Sequence, residues 1–277
     1  MRSSPASRGR FSARLAVTMT ITVALFDLDD TLFAHRASVD LGIRNHRRTL
    51  GAAFAAGSSA DGSAIWPDDA SESLRWTELE EHHYHRYLNG ELTFEGQRQA
   101  RARGFVEPYG VMLNDAESSV WFDTYFEAYR AAWHLHDDTL ACLDALEARS
   151  PATRLGIITN GELDFQTRKV ETVGLTHRIE HLVASGEFGH TKPDPRIFHH
   201  TCELFGVEPA DAVYIGDRLA TDALGAANAG LTGVWLDRER SATTDQLDEA
   251  RASGVSVIHS LDELAALLHA QPRRVTN

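Results

Sequence analysis

Three carboxylates crowd into four positions directly after an apolar stretch near the start of the chain. The stretch reads ALFDLDD, and its acids are Asp27, Asp29 and Asp30. Carboxylates held this close repel one another unless a cation lies among them or one of them is protonated. A hard divalent cation with oxygen ligands, such as Mg²⁺, would relieve that repulsion. The cluster therefore predicts a metal site, with a plain turn or a helix cap as the alternative interpretation.

Three further stretches carry residues suited to the same chemistry. GIITNG ends an apolar run with Thr159 and Asn160, whose hydroxyl and backbone N–H groups suit an anion. TKPDPRIF contains Lys192, one of only two lysines among 27 basic residues. IGDRLATD adds Asp217 and Asp222 after another apolar run. Each stretch has a structural interpretation by itself, but the four together in this order predict one reaction centre.

Short apolar runs that end in Asp, Asn or Gly predict the elements that position these residues. Such runs are typical of strands buried on both faces of a parallel sheet. Helical patterns lie between them, and a repeated strand–helix order gives right-handed crossover units. The sequence thus predicts an α/β fold with a doubly wound parallel sheet, whose ligands bind at the carboxyl ends of the strands. The predicted strands are 21–26, 154–158, 212–215 and 232–236, and the predicted helices 139–148, 194–206 and 222–230.

Residues 35–135 have a different pattern of predicted secondary structure, because helical patterns follow one another there without a strand between them. We interpret them as a helical insertion, with residues 57–73 as a loop inside it. Aromatic residues at helical spacing between 121 and 133 predict the core of this insertion rather than a stacking platform. Residues 1–18 are rich in Arg and Ser, and we expect a disordered extension there rather than a targeting peptide. The apolar stretch that a signal peptide would need runs directly into ALFDLDD, so cleavage after that stretch would remove the first strand.

Composition restricts the partners of the chain. Its 277 residues, 43% of them hydrophobic and 24% charged, are enough to bury a sizeable core. A formal charge of -13 argues against binding to nucleic acid or to an anionic membrane, and no apolar run is long enough to span a bilayer. Cys142 and Cys202 are far apart in the sequence and predict buried thiols in a reducing compartment. We expect a cytoplasmic protein with a small-molecule partner, and the oligomeric state stays open.

The four motifs, in this order, resemble those of the haloacid dehalogenase (HAD) superfamily of phosphatases. DLDDTL resembles its first motif, IITNG its second, the lysine of TKPDP its third and IGDRLATD its fourth. The resemblance implies a Rossmann-like catalytic core made of residues 19–34 and 136–277. It also implies that residues 35–135, between the first and second motifs, are the helical cap of that superfamily.

The resemblance also implies roles for individual residues. Asp27 would attack phosphorus and form an aspartyl phosphate, which divides one difficult displacement into two easier ones. Asp29 would protonate the leaving alkoxide and then accept a proton from the hydrolytic water. Thr159, the backbone N–H of Asn160, and Lys192 would neutralise the phosphoryl oxygens.

The cofactor that the resemblance implies is Mg²⁺. Asp27, the backbone carbonyl of Asp29, and Asp217 would hold it, and Asp222 would support it from nearby. Arg218 is the unusual residue of the fourth motif, and we expect it to point away from the metal or to be a surface charge.

The activity implied is Mg²⁺-dependent hydrolysis of a small phosphate ester, such as a nucleotide or a sugar phosphate. Asp29 separates the chain from the dehalogenases, which have no alkoxide to protonate. No lysine lies between residues 33 and 150, which excludes the phosphonate hydrolases, whose cap lysine forms a Schiff base. Phosphoryl transfer of the phosphoglucomutase type and a non-catalytic binding or regulatory role stay open. Arg98 and Arg101 are candidates for binding a distal anion of the substrate, with a solvated helix face as the alternative.

Overall fold

A parallel sheet of six strands is the centre of the computed structural model, which describes residues 21–50, 57–58, 64–65, 68–149 and 151–270. The predictions for residues 1–18 lie outside these ranges. The described strands are β1 Val23–Phe26, β2 Gly57–Ser58, β3 Ala64–Ile65, β4 Arg154–Thr159, β5 His181–Ala184, β6 Ala212–Gly216, β7 Thr232–Leu236 and β8 Ser256–Ile258.

The order of the strands in the sheet is β5-β4-β1-β6-β7-β8, and every neighbouring pair is parallel. The chain winds outward from β1 in one direction through β4 and β5, then returns to the other side of β1 for β6, β7 and β8. This is the order of a Rossmann-like doubly wound sheet, so the predicted fold class is confirmed. The direction reverses between β1 and β6, and ligands bind beside such a reversal.

Helices cover both faces of the sheet. Alternate residues of a strand point to opposite faces, so Phe26 packs with Leu143 on one side, and Leu25 packs with Phe198 on the other. Burial on both faces accounts for the continuous apolar runs of the strands. The described helices are α1 His35–Thr49, α2 Asp69–Leu88, α3 Phe94–Val106, α4 Asp115–Ala131, α5 Thr139–Glu147, α6 Leu163–Thr172, α7 Ser185–Phe188, α8 Pro195–Phe205, α9 Gly225–Asn228, α10 Thr244–Ala252 and α11 Leu264–Ala270.

Helices α1 to α4 lie between β1 and α5 in the sequence and have a hydrophobic core of their own. Its centre is aromatic and includes Trp121, Phe122 and Tyr125, as predicted from their spacing, together with Trp76 of α2. The prediction of a loop over residues 57–73 was wrong in two places. β2 and β3 form an antiparallel pair, and α2 begins at Asp69 because the Asp68 side chain caps it. The other residues of that segment before 68 lie outside the described ranges.

The two connections between this helical segment and the sheet lie side by side. The Ala34 N–H donates to the carbonyl of His134 at 3.0 Å, and the His136 N–H donates to the carbonyl of Leu32 at 3.0 Å. Above this point α4 packs against α6, where the Phe126 and Phe165 rings are 5.8 Å apart. The helical segment therefore stands directly beside the carboxyl end of β1.

Both cysteines are buried and unpaired, as the sequence predicted. Cys142 packs with the hydrophobic cluster on one face of the sheet and Cys202 with that on the other. In the described part of the chain, no helix is both long enough and apolar enough to cross a membrane.

Candidate active site

The end of β1 supplies the first two acids of the site. Asp27 is the first residue after the strand, and its N–H donates to the carbonyl of Ile215 in β6 at 2.8 Å, which extends the parallel ladder by one residue. The Asp27 side chain is buried. Asp30 has a φ of 59°, a left-handed conformation that Asp tolerates better than most residues. The backbone thus turns sharply away from the sheet just after Asp29.

Lys192 is a buried cation whose ammonium group is fully hydrogen-bonded. Its Nζ donates to Asp27 Oδ1 at 2.6 Å, to Asp222 Oδ1 at 2.7 Å and to the Tyr214 hydroxyl at 2.7 Å. The Tyr214 hydroxyl donates in turn to the carbonyl of Ile158 at 3.0 Å. An ammonium group has three donors, so its position is fixed beside Asp27.

Asn160 holds the backbone of Lys192 from the end of the neighbouring strand β4. Its Oδ1 accepts from the Lys192 N–H at 2.8 Å, and its Nδ2 donates to the Lys192 carbonyl at 3.1 Å. This reciprocal pair ties the loop before α8 to the carboxyl end of β4. The side chain of Asn160 thus positions Lys192, a role that its place in the sequence did not indicate.

The carboxylates of Asp27, Asp217 and Asp222 approach one another closely enough to share one cation. One oxygen from each lies within 4.8 Å of the other two. A Cβ atom on Gly216 would lie 2.4 Å from the Cβ of Asp222, so only glycine lets Asp222 come this close to the end of β6. The Arg218 N–H donates to Asp222 Oδ2 at 3.0 Å, and the Arg218 side chain is exposed, as expected.

The electrostatics of these acids favour the binding of a positive charge. Burial raises the pKa of Asp27 well above its ordinary value, and Asp222 and Asp217 raise it further, while Lys192 opposes them. Burial, Asp222 and Asp30 raise the pKa of Asp217 to about 7. A divalent cation among the three carboxylates would reverse these shifts, and a donor set made of oxygen alone suits Mg²⁺.

The second acid, Asp29, lies in a different environment from Asp27. Its Oδ1 accepts from Lys169 Nζ at 2.5 Å, and its Oδ2 accepts from Gln166 Nε2 at 3.0 Å. Burial alone would raise the pKa of Asp29, but the charges of Lys169 and His35, with the two hydrogen bonds, lower it to about 2. Folding thus raises the pKa of Asp27 and lowers that of Asp29, although only Leu28 stands between them.

Sequence reasoning did not find Lys169 and Gln166, which both lie on α6. Thr159 is buried at the end of β4, and its Oγ1 accepts from Gln166 Nε2 at 2.9 Å, so the same amide contacts two of the predicted site residues. The sequence did carry one signal, because Lys169 is the only lysine besides Lys192. The predicted core residues form two adjacent groups. Gln166 joins Asp29 and Thr159. Lys192 joins Asp27, Asn160 and Asp222, and Asp217 lies beside Asp27 and Asp222.

Arg98 and Arg101 lie on α3 of the helical segment. Arg101 is buried, donates to Glu80 Oε1 at 3.0 Å and places its guanidinium group 4.6 Å from the centroid of the Trp76 ring. The guanidinium group of Arg98 lies 4.4 Å from the centroid of Phe94. Both side chains thus pack against aromatic residues of their own helical segment, and their contact with a substrate stays a prediction.

Comparison with known proteins identifies the family. A family model of haloacid dehalogenase-like hydrolases matches residues 21–230, which include every residue of the site described above. The chain is a haloacid dehalogenase-like hydrolase. Membership in this family agrees with the order of the four motifs and with the carboxyl-end location of the site.

Several curated relatives of this hydrolase are phosphatases. Glyceraldehyde 3-phosphate phosphatase of Methanopyrus kandleri is 31% identical over 218 residues, which are 79% of this chain and 84% of the relative. N-acylneuraminate-9-phosphatase of Mus musculus is 30% identical over 176 residues, or 56% of this chain and 70% of the relative. Phosphoserine phosphatase of Thermus thermophilus is 42% identical over 92 residues, or 33% of this chain and 37% of the relative.

Solved structures show the same fold. The putative HAD-hydrolase YfnB of Bacillus subtilis, in a magnesium-bound crystal form, superimposes with a TM-score of 0.66 at 19% identity and covers 90% of this chain and 99% of its own. L-2-haloacid dehalogenase of Xanthobacter autotrophicus superimposes with a TM-score of 0.61 at 19% identity over 91% of this chain and 100% of its own. Phosphatases and dehalogenases thus share this architecture, so the site must decide between them.

Proposed function

We propose that this haloacid dehalogenase-like hydrolase is a Mg²⁺-dependent phosphatase that hydrolyses a small phosphorylated metabolite through an aspartyl phosphate on Asp27. The observation that carries the proposal is the arrangement around Asp27, where Lys192 and two further carboxylates surround a buried potential nucleophile. The presence of Asp29 supports ester hydrolysis, since it offers a group that can protonate an alkoxide. The three relatives named above are phosphatases of different small metabolites, which supports the same class of reaction.

The proposed reaction has two displacements at phosphorus. In the first, an oxygen of Asp27 forms a bond to phosphorus while the bond from phosphorus to the ester oxygen breaks, and the protonated form of Asp29 gives its proton to that leaving oxygen. In the second, Asp29 takes a proton from water, whose oxygen bonds to phosphorus as the bond to Asp27 breaks. The products are the alcohol and inorganic phosphate, and both acids return to their starting states.

The remaining residues bind and orient the phosphoryl group. Lys192 lies against Asp27, where its charge offsets the repulsion between the nucleophile and the anionic substrate. Thr159, at the end of β4, and the backbone N–H of Asn160 are the proposed donors to the phosphoryl oxygens. Such positioning and charge stabilisation is most of what phosphoryl transfer needs from a protein.

Asp27, Asp217, Asp222 and the backbone carbonyl of Asp29 are the proposed Mg²⁺ ligands. When bound, the ion would neutralise charge on the carboxylates and on the phosphoryl oxygens. Lys192 occupies one oxygen of Asp27 and one of Asp222, and each carboxylate has a second oxygen, which in Asp222 accepts from Arg218. The donor chemistry thus fits the ion, and Asp222 would both hold Lys192 and face the ion.

Residues 35–135 are proposed to be the cap that chooses the substrate, joined to the core formed by residues 19–34 and 136–277. The adjoining connections at Ala34 and His134 support a hinge at this place. The cap offers polar groups beside the site, including His35, whose Nδ1 is 3.9 Å from Asp29 Oδ1. A nucleotide or a sugar phosphate is the proposed kind of substrate, and the two buried free thiols support a reducing, cytoplasmic location.

A panel of phosphorylated metabolites, assayed for released inorganic phosphate, tests this proposal. We expect release from 4-nitrophenyl phosphate and faster release from at least one metabolite, both abolished by a chelator and restored by Mg²⁺. Asp27→Asn, which keeps the shape but removes the nucleophile, is the matched control and should be inactive. Absence of phosphate release from the whole panel by folded protein with Mg²⁺ would contradict the proposal.

A further inference from the structure

Helix α6 holds the carboxylate of Asp29 through both of its oxygens. Lys169 Nζ donates to Oδ1 at 2.5 Å, and Gln166 Nε2 donates to Oδ2 at 3.0 Å. Gln166 and Lys169 are three residues apart, so their side chains emerge on the same face of the helix. Two donors on two different oxygens prevent the rotation that a single contact would leave to a carboxylate.

The surroundings of Lys169 direct its charge to Asp29. Its side chain is buried, and its Nζ lies 5.0 Å from the centroid of the Phe33 ring and 4.8 Å from that of Phe165. Within the described ranges, Asp29 is the only carboxylate that forms an ion pair with Lys169. The Asp29 side chain keeps 28% of its surface exposed, so it faces the crevice while α6 holds it from behind.

Gln166 connects Asp29 to Thr159 of the IITNG motif. Its Nε2 reaches both Asp29 Oδ2 and Thr159 Oγ1, at 3.0 and 2.9 Å. One buried amide therefore sets the distance between the predicted acid–base residue and a predicted phosphate-binding hydroxyl. A Cβ atom on Gly161 would lie 2.8 Å from Gln166 Nε2, so the glycine of IITNG gives this amide its space.

We propose that Lys169 and Gln166 are positioning residues that orient the Asp29 carboxylate for proton transfer to the leaving oxygen. This inference rests on the proposed phosphatase function. Proton transfer in the transition state depends on a well-placed hydrogen-bond geometry, and it matters most when the leaving oxygen is strongly basic. Loss of the positioning should therefore slow the release of an alkoxide more than the release of a nitrophenolate.

The parameter kcat/KM isolates this effect, because it reports the steps up to the first irreversible one, which here is transfer of the phosphoryl group to Asp27. We expect Lys169→Met to lower kcat/KM for glycerol phosphate at least about tenfold, and that for 4-nitrophenyl phosphate less than about threefold. Lys169→Arg, which keeps the charge, should recover part of the loss. Arg168→Ala, an exposed neighbour on α6, is the matched control and should behave like the wild type.

A second variant and a double variant separate positioning from folding. Gln166→Leu removes the amide hydrogen bond to Asp29, and its loss of kcat/KM should depend on the leaving group in the same way. Circular dichroism would confirm that this variant is folded. If Lys169 acts through Asp29, Lys169→Met added to Asp29→Asn should change kcat/KM for glycerol phosphate by less than about twofold. The positioning role alone would be overturned if the wild type is active and the folded Lys169 and Gln166 variants lose kcat/KM equally on both substrates, or lose none. A wild type inactive on every phosphate ester would instead contradict the proposed function.

Discussion

Lys192 Nζ lies 2.6 Å from Asp27 Oδ1, although 165 positions separate the two residues in the chain. The contact forms because β1 and the loop before α8 meet at the same edge of the sheet, where Asn160 holds that loop by two hydrogen bonds. Removing the ammonium group leaves a buried carboxylate without its cation and an incoming phosphate without its counter-charge.

Lys192→Met should therefore lower kcat/KM on the order of 10²-fold or more, as the loss of a preorganised electrostatic contact does. Lys192→Arg is the matched variant, and we expect it to keep part of the activity if it still reaches Asp27. Steady-state kinetics on the best metabolite of the panel give the measurement. A loss below about threefold in a folded Lys192→Met protein would remove Lys192 from the reaction.

The Arg101–Glu80 pair should be important for the stability of the helical segment. Arg101→Met leaves the Glu80 carboxylate without its partner, and we expect a loss of about 3 kcal/mol in the free energy of unfolding. Arg103→Met is the control, because Arg103 pairs with the exposed Asp115 and should change stability little. Equal denaturation midpoints for the two variants would contradict the importance of the buried pair.

Arg98 offers a test of the selectivity predicted from the sequence. Its side chain is half-buried against Phe94 and Phe122, so its charge lies at the edge of the aromatic core of the helical segment. Arg98→Glu should change the ratio of kcat/KM between two metabolites by at least about threefold, while hydrolysis of 4-nitrophenyl phosphate stays near the wild-type value. The same order of preference in both proteins would place Arg98 outside substrate selection.

Asp138 should make folding stability depend on pH in the acid range. It accepts hydrogen bonds from Arg238, from the Ser260 hydroxyl and from the Leu261 N–H. Burial would raise the pKa of Asp138, but these donors and the charge of Arg238 lower it below its ordinary value. A carboxyl group whose pKa is lowered by folding stabilises the folded protein. The full stabilisation is present above the unfolded-state pKa of about 3.9, and it is lost as the pH falls through the folded-state pKa.

Asp138→Asn should thus cost about 2 kcal/mol at neutral pH and progressively less below about pH 4. Urea unfolding across that range gives the measurement. Asp248→Asn, in an exposed pair with Arg251, is the control and should show no such trend. If the free energy of unfolding differs between wild type and Asp138→Asn by the same amount at neutral and at acid pH, the assigned linkage is contradicted.

The sequence predicted the strands β1, β4, β6 and β7, and it placed candidate site residues at their carboxyl ends, because both follow from local patterns. An apolar run followed by an acid or a Thr-Asn turn marks the carboxyl end of a strand, and parallel strands bring those ends together. The strand β5 was missed because the apolar run within His181–Ala184 is limited to Leu182, Val183 and Ala184, too short for a clear pattern. Helix α6 was missed because LDFQTRKVET is largely polar. The contacts of Lys169 and Gln166 with Asp29 were therefore missed as well.

Long-range contacts of polar residues account for the other differences. Lys169 stands 140 positions from Asp29, and no periodicity links them. Arg101 has the sequence surroundings of a solvated helix face, yet it is buried because Glu80 and Trp76 on the adjacent helix α2 neutralise and cover it. Charge neutralisation across helices is a tertiary effect, and the hydrophobic pattern of one helix does not contain it.

Trapping the covalent intermediate tests the central claim most directly. The purified protein would be mixed with a substrate and Mg²⁺, quenched during turnover, treated with borohydride to reduce any acyl phosphate, and digested for mass spectrometry. We predict that the reduced side chain is found at position 27 in the wild type, that it is absent without substrate, and that Asp27→Asn shows neither the modification nor phosphate release. Continued phosphate release by Asp27→Asn, or a modification at another acid such as Asp29 or Asp217, would contradict the assignment of Asp27 as the nucleophile.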